Sequence, residues 1–212
     1  MPVLTEERKN SGIVPPPPAL PGGDGGEAGE PYSSFPLSKG QIALWVLMTG
    51  IVMLFAGLSS AYIVLRGTPA WQNIDMPGLL WFNTIIIVIS SFTIDLARRA
   101  VGRNRITTMN GWIGASAALG SAFLVGQLVV WRQLVNAGVY LPSTLHSSFF
   151  YLLTGIHGVH LVGGILALGY VSRLAFRNRL TVFNSEPLKL CATYWHFMGG
   201  LWLYLFMLLV LA

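Results

Sequence analysis

Carboxylates are scarce in this chain. Of its 212 residues only eight are Asp or Glu, and beyond Leu37 only Asp75, Asp95 and Glu186 remain. That excludes a mid-chain carboxylate pair for acid–base chemistry. No nucleophile with an adjacent base, Gly-rich phosphate loop or dinucleotide fingerprint stands in its place. A single cysteine, Cys191, excludes an internal disulfide and any thiolate metal cluster built by this chain alone. It reads as a small apolar residue inside a helix. Charged residues of both signs make up 10% of the sequence, against roughly a quarter in soluble domains. So little charge does not cover a soluble globule.

What is present is apolar: 53% of residues are hydrophobic and the mean hydropathy is +0.61. Five runs are long enough to cross a bilayer, at about 41–65, 77–97, 111–135, 147–171 and 187–211. They lack the period-two alternation of barrel strands and carry no charge near mid-span, so they read as helices. The expected fold is an all-α integral membrane protein: a five-transmembrane-helix bundle (39–212) behind a disordered cytoplasmic tail (1–38). The tail holds a PPPP run, five acids and a Gly-rich patch. Too little of it is apolar to offset its ordering entropy, and it has no apolar centre of a secretory signal.

The net charge of +5 speaks to topology and not to nucleic acid. Arg98, Arg99, Arg103 and Arg105 follow the second run, and Arg173, Arg177, Arg179 and Lys189 follow the fourth. The alternate turns offer Arg66 and Arg132. By the positive-inside bias this is a multi-pass protein of a bacterial-type inner (plasma) membrane, with the N-terminus cytoplasmic and the C-terminus outside. Trp71, Trp81, Trp131 and Tyr140 fall at the outer interface, Trp112 at the inner one, and His146 reads as a solvated outer residue. Asp95 sits three and four residues before Arg98 and Arg99, the spacing of a helix-end ion pair. Small residues at four-residue spacing, among them Ala56 with Ser60, Gly57 with Ala61, Gly114 with Ala118 and Ser116 with Gly120, allow close helix approach.

Against this background three imidazoles stand out: His157 and His160 in the fourth run, and His196 in the fifth. Ionisable groups at such depth face protein or trapped water, not lipid. His157 and His160 share a helix flank, and a rise of 1.5 Å per residue puts His160 and His196 within roughly 3 Å of depth. Three readings compete. One is a structural polar seam of His157, His160, His196, Thr154 and Tyr194 that sets helix register. A second is metal or haem ligation, with His160 and His196 as axial ligands of a b-type haem anchor. A third is a proton path, for which the spans offer few titrating groups.

Phe149-Phe150, the run Thr154-Gly155-Ile156-His157-Gly158-Val159-His160, and Tyr194-Trp195-His196-Phe197 with Trp202 resemble haem–copper oxidase subunit III. Phe55-Ala56-Gly57, Phe82-Asn83-Thr84 and the stretch Gly120 to Gln127 extend the likeness across about residues 40 to 211. The resemblance implies a short, five-helix form of a non-catalytic accessory subunit in a respiratory terminal oxidase, with cytochrome c or quinol as donor. It implies no haem or copper in this chain, both being expected in partner subunits. The partners it implies are the catalytic subunit I, other respiratory-complex subunits and bound phospholipid. A nitric oxide reductase or another respiratory assembly is the sibling reading. Three positions depart from the family pattern: Ile51, Val130 and Gly199 stand where that family commonly has intramembrane carboxylates.

Overall fold

A computed structural model describes residues 38–69, 71, 77–103, 105–141, 143–177, 180 and 185–211. The tail expected over 1–38 lies outside them, except for Ser38. The described residues form five helices: α1 (Lys39–Arg66), α2 (Leu79–Gly102), α3 (Ile106–Asn136), α4 (Leu145–Phe176) and α5 (Glu186–Leu211). All five are long and apolar enough to cross a membrane, so the described residues form a helical, multi-pass membrane bundle.

The helix ends follow local chemistry. Ser38 caps α1 through the amide of Gln41, whose side chain accepts from the Ser38 amide in return. Thr144 and Ser147 make the same reciprocal box at α4. Pro187 sits in the first turn of α5, where its missing N–H leaves no bond unmade. The end of α3 winds out through Gly138, whose φ of 81° an L side chain resists. The amides of Gly138 and Val139 close the turn on Val135 and Leu134.

Helices α2, α3, α4 and α5 close a ring in which each touches the next and α5 returns to α2; α1 leans on α4 and α5 from outside. Ring neighbours are antiparallel. Trp131 meets Thr154 and Phe123 meets His157 across α3 and α4, and Thr93 meets Ser116 across α2 and α3. Asp95 and Thr84 meet His196 and Trp202 across α2 and α5. The polarity of a soluble protein is reversed: Val46, Met53, Phe92, Val159 and Leu166 face outward, while Asn83, Ser90, Thr93, Ser116, Gln127 and His157 lie inside. Outward apolar faces suit hydrocarbon, and inward polar groups serve as links between helices.

Two expectations need correcting. The second span was expected to end at residue 97, with Asp95 at its tip. The helix continues to Gly102, so Asp95 lies inside it, about 10 Å from the end at 1.5 Å per residue. His146, expected in solvent, is 3% exposed. Its ring stacks on Trp71 with centroids 4.7 Å apart, and the Tyr62 hydroxyl lies 3.5 Å from its Nε2. Trp71, read as an interfacial aromatic, supplies that lid from the α1–α2 connection.

Candidate functional site

The ring closes on Trp195. Its indole lies so near Gly120 of α3 that a Cβ there would come within 2.5 Å of the six-membered ring, and its other edge packs on Gly164 of α4. A Cβ at Gly120 would overlap the indole, and one at Gly164 would crowd Tyr194 at 3.2 Å and Trp195 at 3.4 Å. The indole Nε1 then donates to Ser90 Oγ of α2 at 3.0 Å. Ser90 Oγ passes its own proton to the Ser116 carbonyl at 3.2 Å, while Thr93 Oγ1 and Ser116 Oγ pair at 2.7 Å. One side chain of α5 is thereby joined to α2, α3 and α4. A Ser or Thr hydroxyl can serve its own helix and a neighbour at once, so such links satisfy polar groups without a charge.

The three imidazoles do not gather into one seam. His196 Nε2–H donates to Asp95 Oδ1 at 3.1 Å, and Arg98 Nη1 reaches the same oxygen at 3.4 Å. The i, i+3 ion pair read from the sequence is therefore present, with an unforeseen histidine as its third member. His160 turns the other way. Its Nδ1–H donates to the Ile156 carbonyl at 2.8 Å, and its ring meets Phe55 of α1 edge-on. Tyr194 ties α5 to this turn by donating to the His160 carbonyl at 3.0 Å. Thr154 donates to Phe150 O and accepts from Trp131 Nε1. His157 is held between the rings of Phe123 and Trp202.

The physical reason for the dispersal is rotation about the helix axis. The α4–α5 seam presents His160 and His196 to opposite flanks, one toward α1 and the other toward α2. Shared axial ligation of a haem requires both rings to face one iron. With one ring on Phe55 and the other bonded to Asp95, and with α1 and α2 out of contact, this donor set does not fit a b-type haem. Among the described residues no three His, Cys, Asp or Glu side chains are placed to hold a metal ion.

The departing positions have unlike surroundings. Ile51 and Val130 are buried. Gly199 faces Ser91 of α2, where a Cβ would stand 3.1 Å from Ser91 Oγ. It also borders a cavity of about 330 Å³ that Asp95 and His196 line. The carboxylate of this region thus sits on α2, across from α5. The sequence held a signal for that pairing, since Asp95 is the one acid inside a span. What it lacked was the α2–α5 contact.

The likeness to known proteins runs over the same ring. The family model described as "Cytochrome c oxidase subunit III" matches residues 66–211, the stretch from the end of α1 through α5. A protein named cytochrome c oxidase subunit 3 from Thermostichus vulcanus is 30% identical over 174 residues, covering 79% of this chain and 85% of that one. Its namesake from Synechocystis is 33% identical over 170 residues, covering 74% and 69%. One from Bacillus sp. (strain PS3) is 26% identical over 172 residues, covering 78% and 82%. With the Tyr194-Trp195-His196-Phe197 pivot, its glycine seats and the histidine helix all inside the matched stretch, the chain belongs to the cytochrome c oxidase subunit III family.

Proposed function

We propose that this chain is the accessory third subunit of a respiratory haem–copper oxidase, seated against the oxygen-reducing subunit, which carries the haem and copper. The observation that carries this reading is the coincidence of the family match with the closed ring α2–α5. Packing rings and hydroxyl links fill the interior of that ring, which suits a part that supports a redox subunit. The test is to purify the complex through a tag on this chain and identify what accompanies it. A haem-bearing, oxygen-reducing subunit is expected. A chain that isolates alone with a reduced-minus-oxidised haem band ends the proposal, as does one that accompanies only a nitric oxide-reducing enzyme.

The same reading has the N-terminus on the cytoplasmic side, which the positive-inside bias supports. Lys39, Arg98, Arg99, Arg103, Arg105, Arg173, Arg177 and Lys189 gather at one end of the antiparallel bundle, and Arg66 and Arg132 at the other. At the basic end a cavity of about 460 Å³ opens between α2 and α5, with Arg98, Arg99, Ser185 and Lys189 in its wall. Asp95 lies in its wall and also in that of the smaller cavity beside Leu203. A phospholipid suits this pair, with the headgroup phosphate among the cations and an acyl chain along the seam. Exchanging Arg99 and Lys189 for glutamine is expected to lower the phospholipid retained per purified complex, read by mass spectrometry of extracted lipid. Unchanged retention removes this site from consideration.

His160→Leu is a milder intervention. It removes one hydrogen bond within α4 and exchanges one edge contact with Phe55 for another apolar contact. The expected cost is about 1 kcal/mol, seen as reduced complex yield or shorter activity lifetime with initial oxygen uptake nearly intact. Immediate loss of uptake in a fully assembled complex would show a direct chemical role instead.

A further inference from the structure

One level of the ring, toward the end opposite the main basic cluster, is polar in a way that Trp195 and the hydroxyl web do not account for. Asn83 of α2 lies against Gly126 of α3, so close that a Cβ at Gly126 would overlap its carboxamide. The next residue, Thr84, accepts from Trp202 Nε1 of α5 at 3.1 Å. The Trp202 ring lies 5.3 Å from that of His157 on α4, and Phe123 of α3 touches both. Gln127 follows Phe123 by one helical turn and precedes Trp131 by another. Its neighbours along α3 therefore touch His157 and Thr154 of α4. These contacts bring Asn83, Gln127 and His157 to one height, each from a different helix.

Asn83 and His157 are 1% exposed and Gln127 is 4% exposed. Asn83 Nδ2, both polar atoms of Gln127 and both ring nitrogens of His157 have no hydrogen-bond partner among the described residues. In a membrane such groups are unusually costly to leave unmet, because no solvent reaches them. Neither lipid nor a partner subunit reaches atoms this deeply enclosed. A metal ion is a poor match, since the site offers one imidazole, two neutral carboxamides and no carboxylate.

We propose that this level is an internal hydration site, in which at least one water molecule is held between Gln127, His157 and Asn83. One water can meet three of the five unpartnered atoms, and the imidazole N–H and Gln127 Nε2 remain for its second lone pair or a second water. Neutral imidazole has one N–H and one lone pair, Gln127 supplies one acceptor and two donors, and Asn83 Nδ2 supplies donors. Water both donates and accepts, so one molecule can give a proton to the free imidazole nitrogen and another to Gln127 Oε1 while accepting from Asn83 Nδ2. The bridge joins α2, α3 and α4 at a height where no direct side-chain bond links them. It acts as a second fastening, independent of Trp195.

The decisive measurement is a map of the native complex at a resolution that places waters. A peak within about 3.2 Å of both a His157 ring nitrogen and a Gln127 polar atom is expected. A direct His157–Gln127 bond, or no peak at that height, overturns the proposal. Thermal stability of the intact complex with His157→Phe, Gln127→Leu and the double change gives a second reading. Groups that share a bridge are expected to be non-additive, the double variant losing fewer degrees than the two single losses combined. Full additivity overturns the proposal as well. If the variants do not assemble, the wild-type map alone decides.

Discussion

Trp195→Ala is expected to be the most damaging single change in the ring. The indole is 1% exposed and fills the space that Gly120 and Gly164 leave open. Truncation opens a void facing two backbones, and neither can move in without dragging a whole helix. Large-to-small changes at aromatic core positions cost about 3 to 5 kcal/mol in soluble proteins. Packing is the main cohesive force between membrane helices, so the void term carries over even though burial from water does not. Ser90 also loses its donor. The measurement is thermal stability and subunit content of the purified complex. Trp195→Phe is expected to fall between parent and Ala, because it loses the Nε1 bond, a cost of about 1 kcal/mol, and also part of the ring volume against Gly120 and Gly164. If Trp195→Ala assembles and melts like the parent, the pivot description is wrong.

Val130→Glu ranks second. Val130 is fully buried, and a carboxylate there enters a packed face of α3 with no cation on hand. The insertion scale puts a charged side chain at the helix centre at about 2.5 to 3.5 kcal/mol, an upper bound for Val130, six residues from the end of α3, and overpacking adds to it. Ile51→Glu on α1 is expected to behave in the same way. Gly199→Asp should be milder, because its side chain would border Ser91 Oγ and an open cavity where His196 offsets part of the repulsion from Asp95. Expression of the three variants side by side, followed by the yield of assembled complex, checks the order. A Val130→Glu complex as abundant as the Gly199→Asp complex would show that burial does not govern these positions.

Height in the membrane was legible in the sequence, and azimuth was not. The five runs, the charge bias of their turns and the depths of the histidines follow from hydropathy and a fixed rise per residue. The direction a side chain takes around its helix depends on which helices become neighbours. His196 therefore met Asp95 of α2 and not the histidines of α4. His146 went astray for a related reason. A place at a span end points to solvent, whereas Trp71 and Tyr62 fold over it from a connection and another helix. The small-residue pairs show the same limit. Ser116 and Gly120 are buried against α2 and α5, while Gly57 and Gly114 have open space before them. Spacing alone does not tell an inward stripe from an outward one.

The position of the pivot on α5 bears on how the protein is made. Helices α1 to α4 leave the ribosome first, and until α5 arrives Ser90 lacks the indole and the glycine seats of α3 and α4 lie open. Stepwise insertion can therefore pair α2 with α3 and α3 with α4 early, but closure of the ring waits on α5. A chain arrested before Trp195 would keep the Ser90–Ser116 link between α2 and α3 but leave Ser90 without its donor and the two glycine notches unfilled.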